Sequence, residues 1–441
     1  MAKLQKLLSQ DLLYTAINQF WRIVAGPLVL LFIPLYLTPV EQGYWYTFTS
    51  IAALAVFADL GFSTIILQFS AHEFAFLYFK DDLTLAGDAE HLARLAAFFK
   101  FSLTWLLKVI GLVFPFIIVG GYFFLTSKHD LDYWQGAWFL YSLASGIVFF
   151  YSSLLYFFEG CNSVGLVQSL RFKIAVGTSS TILLGLYFHL TLYALALSLV
   201  ISSCLGLFLL LRIFARPMRQ LWGLAKTSHY NWWPEFSNLI WRYAISWCSG
   251  YFIFQLFTPL AFKFHGPVFA GKVGMSIAAW TAGYNIASTW LTAVTPKLNM
   301  LVAEKNWPQL DAVFNKNLRY SLMTMFLGGT VYFFLYFWLV DKIFFFKRLL
   351  GPLGMGILFT CWLLQLYIND LAVYLRSHKK EPLMLLSAVS AIYVAVTTYF
   401  CAYYLNEEML FAGFLSSYFW GMPIVVMIWR KQKQAHGSDL V

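Results

Sequence analysis

Residues 12–37 read Leu12-Leu13-Tyr14-Thr15-Ala16-Ile17-Asn18-Gln19-Phe20-Trp21-Arg22-Ile23-Val24-Ala25-Gly26-Pro27-Leu28-Val29-Leu30-Leu31-Phe32-Ile33-Pro34-Leu35-Tyr36-Leu37. One charged residue, Arg22, stands in the whole run. A helix rises about 1.5 Å per residue, so a stretch this long crosses the hydrocarbon core of a bilayer, about 30 Å. A barrel strand would alternate in polarity at every second residue, and this run does not. It is a spanning helix, and runs like it recur at 44–69, 101–125, 134–158, 166–188, 190–211, 238–261, 267–292, 318–340, 352–375, 383–405 and 409–429. The 441-residue chain is 60% hydrophobic, 20% aromatic and 11% charged, against about 25% charged in soluble domains. It has too little polar surface for a water-soluble fold and too much apolar content for disorder. The expectation is an all-α polytopic membrane protein with about twelve transmembrane helices.

The net charge of +10 follows from basic connecting loops rather than from nucleic-acid binding, because no basic run with stacking aromatics lies outside the apolar segments. With the N-terminus cytoplasmic, 21 of the 30 basic residues fall in inside segments and 5 in outside segments. The positive-inside bias therefore places both termini in the cytoplasm. Met1 to Gln10 reads as an amphipathic lead-in with no removable signal peptide. The five cysteines have no paired spacing, so neither a disulfide framework nor a metal site is expected. The outside loops are short. Longer inside connections fall at 70–100, 212–237 and 293–317, and Leu92, Leu95, Ala96 and Phe99 in the first have the spacing of an amphipathic surface helix.

The connection around Arg212, Arg216, Pro217, Arg219 and Lys226 divides the chain into 1–225 and 226–441, six spans each. An even number per half makes a parallel repeat. Phe32-Ile33-Pro34-Leu35 recurs as Phe257-Thr258-Pro259-Leu260, and Ser50-Ile51-Ala52-Ala53 as Ser276-Ile277-Ala278-Ala279. The expected arrangement is two parallel six-helix lobes around a central cavity.

Ionisable groups inside a bilayer are expensive and mark pathways or internal pairs. Arg22, Asp59, Lys108 and Asp370 lie deepest, with Arg242 and Lys272 nearer the span ends. These six are the candidate substrate-binding and translocation residues. Arg22 and Lys108 could attract an anionic headgroup; equally, Arg22 could pair with Asp59, and Lys108 could snorkel to the inner interface. Glu73 and Glu159 read as solvated carboxylates at helix ends. Trp45, Trp105, Trp280 and Trp290 could line a cavity and stack on sugars, although aromatic belts explain most rings. No phosphate loop, HExxH or nucleophile elbow is present, so no enzyme and no cofactor is expected.

Twelve helices in two parallel halves resemble the multidrug/oligosaccharidyl-lipid/polysaccharide exporter (MOP) superfamily. Three motifs resemble its bacterial polysaccharide (O-antigen) flippase branch: Leu35-Tyr36-Leu37-Thr38-Pro39-Val40-Glu41-Gln42-Gly43-Tyr44-Trp45; Asp59-Leu60-Gly61-Phe62; and Pro296-Lys297-Leu298 followed by Ala303-Glu304 and Leu310. The resemblance implies a V-shaped transporter moving undecaprenyl-pyrophosphate-linked oligosaccharide across the bacterial inner membrane, with membrane lipids, a proton or other coupling ion and polysaccharide polymerase machinery as partners. The alternatives are a multidrug or organic-cation antiporter of the same fold and, from another class, a membrane-embedded glycan polymerase. The drug-exporter branch carries an acidic cation site in helix 1; this helix has Asp11 at its start and Arg22 inside. That departure favours an anionic cargo.

Overall fold

A computed structural model describes residues 2–128, 131–228, 230–378 and 382–438, without the side chains of residues 2–12, Arg22, Arg242, Ala303 and 435–438. In chain order the helices are α1 (Ala2–Tyr36), α2 (Pro39–Ala52), α3 (Val56–Asp59) and α4 (Phe62–Phe74). A hairpin of β1 (Leu77–Phe79) and β2 (Leu85–Gly87) follows, paired antiparallel with Leu77 opposite Gly87. Then come α5 (Ala89–Thr126), α6 (Trp134–Gly160), α7 (Val164–Tyr187) and α8 (Leu192–Leu224). The rest comprises α9 (Trp233–Phe254), α10 (Phe257–His265), α11 (Pro267–Ala303), α12 (Trp307–Leu339), α13 (Phe344–Lys347), α14 (Pro352–Ser377), α15 (Met384–Tyr404) and α16 (Ala412–Ser438).

The chain is an all-α polytopic membrane protein, since backbone polar groups inside lipid are satisfied within each helix. Among the described residues, eight helices are long and apolar enough to cross a membrane, and ten spans result if each bent pair counts once. The bent pairs are Pro39–Asp59 with Phe62–Phe74, at 43°, and Trp233–Phe254 with Phe257–His265, at 41°. The two remaining expected spans are α7 and α11, helical over 24 and 37 residues. They fall short in apolarity because α7 carries Gln168, Arg171 and Lys173, and α11 carries Lys272, Asn285 and Lys297. The repeated Phe-x-Pro-Leu motif takes different roles: in α1 it continues the helix, whereas Phe257 opens α10 after the bend.

The 70–100 connection differs from the reading of a separate surface helix. Leu92, Leu95, Ala96 and Phe99 do lie on one helical face, but they form the first turns of α5, and the last three are fully buried or nearly so. Asp88 starts that helix by accepting hydrogen bonds from the backbone N–H groups of Glu90 and His91, both at 3.0 Å. No breaker follows before the bilayer, so helix and span are continuous. The Gln220 side chain pins the hairpin, accepting from Leu85 N at 2.7 Å and donating to Leu85 O at 2.8 Å. Likewise α8 and α11–α12 extend well into the connections expected at 212–237 and 293–317.

Two compact units form, and neither is one continuous half. The first joins residues up to Phe32 with Phe48–Cys248; the second joins Ile33–Thr47 with Ser249–Val441. A division at 225/226 would detach Trp232 and Phe236 from the core in which they are buried. Phe236 sits 5.4 Å from the Phe62 ring and 4.9 Å from the Trp105 ring. In that core Phe158 and Phe214 stack at 4.1 Å.

In the second unit, the first turns of α2 pack on α11 through small residues that let two backbones meet. A β-carbon on Gly43 would stand 1.9 Å from Pro267 O, and one on Gly271 would stand 2.9 Å from Gly43 N. Neither obstacle is a movable side-chain tip. Gly43→Val should therefore destabilise the protein by about 3 kcal/mol or more, seen as a fall in thermal midpoint and membrane abundance. An unchanged midpoint would mean that α2 and α11 can separate freely.

Candidate functional site

The six candidate residues do not converge on one pair or cluster among the described side chains. Arg22 and Arg242 lie in α1 and α9, and their side chains are outside the described residues. Asp59 ends α3 at the bend, where Leu60 and Gly61 take left-handed conformations with φ of 47° and 78°. Its Oδ1 accepts from the Ser63 backbone N–H at 3.0 Å and from the Ser63 hydroxyl. Asp59 thus restarts the helix, placing negative charge at the N-terminus of α4, where the helix dipole favours it. Lys108 lies on an exposed face of α5 beside Leu107 and near Leu112. Lys272 is half-buried in the second turn of α11.

Asp370 differs from all of these. It is fully buried in α14, and neither carboxyl oxygen has a hydrogen-bond partner. The buried hydroxyl of Ser321 on α12 stands beside it, and Tyr284 of α11 lies within its electrostatic reach. Three helices of the second unit thus surround a carboxyl that the fold leaves unsatisfied.

A polar path links α1 to its neighbours in the first unit. Asn18 Nδ2 donates to Gln168 Oε1 at 2.9 Å, and Gln168 Nε2 donates to Glu159 Oε1 at 3.1 Å. Arg171 closes the path on Glu159 at 2.8 Å and covers the Tyr156 ring at 4.7 Å. One turn beyond Asn18, Trp21 Nε1 donates to Ser179 Oγ at 3.3 Å. The sequence signal was the spacing of Asn18, Trp21 and Arg22, which puts polar groups on one face of an otherwise apolar helix.

Glu73 and Glu159 are not solvated. Glu159 is held as just described. Glu73 is 4% exposed, paired with His91 Nδ1 at 2.8 Å and with Arg94 at 3.1 Å. Burying that carboxylate is tolerable because two partners and a stacked cover surround it: Phe76 lies parallel to His91 at 4.0 Å. Arg94 also covers Tyr230 at 4.5 Å, while Trp232 Nε1 donates to Arg94 O at 3.2 Å. Tyr230 donates to Glu235, and that bond holds the phenol's pKa above its ordinary value. The cluster ties the ends of α4 and α5 to the segment entering α9.

Of the four tryptophans, Trp45 is buried and Trp105 packs on Phe236. Trp290 is 44% exposed and donates to Thr324 Oγ1 at 2.9 Å. Trp280 lines a cavity of about 300 Å³ in the second unit. Among the described residues, no group of three His, Cys, Asp or Glu side chains is arranged to hold a metal.

Solved structures share this fold. An inward-facing multidrug resistance MATE family transporter of the MOP superfamily is 13% identical, with 93% of this chain and 99% of that one covered and a TM-score of 0.50. An outward-facing MATE family transporter of the same superfamily is 12% identical, covering 97% and 96%, with a TM-score of 0.53. A MATE protein in complex with MaL6 is 12% identical, covering 98% and 97%, also with a TM-score of 0.53. Identity this low establishes the fold alone. No protein-family profile and no curated protein sequence matches the chain.

Proposed function

We propose that this chain is an alternating-access transporter that moves oligosaccharide linked to undecaprenyl pyrophosphate across the bacterial inner membrane. Arg22 carries the reading. It is the one charged residue between Leu13 and Tyr36, so the first span offers a cation and no carboxylate. A permanently charged group in a span needs an anionic partner or water. A lipid pyrophosphate supplies the first and a translocation cavity the second. The fold shared with MATE transporters in inward- and outward-facing states supports alternating access. Membrane lipids, a coupling ion and the machinery that polymerises the glycan would be its partners.

Asp370 favours a second reading, organic-cation antiport, because a buried carboxyl without a partner suits a cation or proton. Deleting the gene in its host separates the two. Loss of surface polysaccharide, with lipid-linked repeat units accumulating, is the expected result. Normal display with increased sensitivity to cationic dyes would select the antiporter instead.

The basic asymmetry of the loops sets the orientation and has its own test. A reporter active only in the periplasm should be silent when fused after Val441 and active at Asn406, which opens the turn before α16. The reverse pattern would overturn the cytoplasmic placement of the termini.

A further inference from the structure

Helix α11 is 37 residues long but too polar to count among the apolar spans, and its polar residues keep to one side. Asn285, Ser288, Thr289 and Thr292 stand 4, 7, 8 and 11 residues after Thr281, which puts all five on one helical face. Asn285, Thr289 and Thr292 are exposed, and Thr281 and Ser288 are half-buried. A second exposed face lies beside it. Lys272, Ala293, Lys297 and Met300 stand 14, 7, 11 and 14 residues from Ile286, which is 42% exposed. This second face suits lipid: its middle is apolar, and its two lysines stand 25 residues apart. That is about 37 Å, so both ammonium groups clear a hydrocarbon core of about 30 Å. Asn285 lies 13 residues from Lys272 and 12 from Lys297, which places it near the bilayer midplane.

The hydroxyls alone decide nothing, because each returns its proton to its own helix. Ser288 and Thr289 donate to Asn285 O at 3.1 and 2.9 Å, and Thr292 donates to Ser288 O at 3.0 Å. Asn285 has no such exit. Among the described residues its carboxamide has no hydrogen-bond partner, and lipid supplies none. The repeat that matches Ser50-Ile51-Ala52-Ala53 with Ser276-Ile277-Ala278-Ala279 carries Asp59 and Ser63 onto Asn285 and Thr289. Asp59 caps a helix after a bend, whereas α11 runs straight through its matching position and leaves the amide unused. We infer that this face of α11 is a hydrated lane within the membrane, in which Asn285 binds uncharged, hydroxyl-bearing cargo. None of the five side chains is charged, so a phosphate or ammonium group would give up its water for no counter-charge there. A carboxamide both donates and accepts, as sugar hydroxyls do, and the Ser288, Thr289 and Thr292 oxygens keep lone pairs for the same cargo. The identity of the cargo rests on the proposed function; the hydration of the lane rests on α11 alone.

The test uses the full chain in proteoliposomes, carrying Asn285→Cys, Thr292→Cys, Ile286→Cys or Ala293→Cys. A charged methanethiosulfonate modifies the thiolate, which forms in water and not in hydrocarbon, so the first two should react at least about tenfold faster than the last two. Peptide mapping by mass spectrometry separates these sites from the native cysteines. Maltotriose in the buffer, or a diglucosyl lipid in the vesicle, should slow the reaction at Thr292→Cys, and tetraphenylphosphonium should not. Protection by maltotriose supports free sugar as cargo, and protection by the glycolipid alone supports a lipid-linked source. Equal rates on the two faces, protection by tetraphenylphosphonium instead, or protection by neither sugar overturns the inference. So does a disulfide-linked dimer of Asn285→Cys, which would make this face a contact between copies. In cells, Asn285→Leu should lower glycan display about tenfold at unchanged membrane abundance and thermal midpoint, while Asn285→Gln keeps it. Display lost on gene deletion but normal in Asn285→Leu sinks the lane alone. A sugar-protected lane with display intact on deletion sinks the flippase reading alone.

Discussion

Arg22→Ala abolishes glycan display while the protein stays in the membrane at normal abundance, and Arg22→Lys keeps part of the activity. One cation 5 Å from one phosphate charge, at an effective dielectric near 20, gives about 3 kcal/mol. That is about a hundredfold in occupancy, enough to decide whether the headgroup enters. Lysine retains the charge and loses the fork that binds phosphate oxygens in pairs. Surface polysaccharide in a flippase-null strain, measured beside membrane abundance, reads both effects. Normal display from the alanine variant would remove Arg22 from the substrate path.

A structural ion pair between Arg22 and Asp59 makes a different forecast. The alanine variant would then vanish from the membrane, and removing Asp59 as well would rescue it. The local geometry weighs against that outcome. Asp59 already accepts from the Ser63 backbone and hydroxyl, and its charge lies at a helix N-terminus. Asp59→Asn retains an acceptor for that cap, so the double variant tests the pair without also breaking the bend.

The spans were legible in the sequence because length and apolarity are local properties. Arg22, Asp59, Lys108 and Asp370 stand out the same way, as charges inside apolar runs. What local reading could not find was pairing between distant segments. Glu73 reads as a helix-end carboxylate until α5 begins at Ala89 and brings His91 and Arg94 to it. Trp232, in the connection between the halves, is buried beside Phe69 and Phe98 and donates to Arg94 O. The units divide elsewhere than at 225/226 for the same reason: the side chains of Trp232 and Phe236 bury in the first unit, and Gly43 admits α11 in the second. Trp280 was one of four tryptophans that the sequence singled out as able to line a cavity. The cavity beside it exists only once α11, α12 and α14 are packed together.

Asp370 carries the other large effect. Replacing it with Leu should leave the protein as stable or more so, by about 1–3 kcal/mol, while transport falls at least tenfold. The two halves of that forecast belong together. A fully buried carboxyl with no neighbour beyond the Ser321 hydroxyl to compensate its burial opposes folding unless something binds there. Structural need does not explain its presence, because an apolar side chain would fill the site at lower free energy. Asp370→Asn sharpens the test, since it preserves shape and abolishes proton and cation binding. In proteoliposomes, an imposed proton or sodium gradient should accelerate wild-type transport and leave the Asn variant unchanged. If the Asn variant responds to the gradient like wild type, the carboxyl is not the coupling group. A Leu variant that loses stability along with activity would instead mark Asp370 as a packing residue whose partner is supplied by the fold.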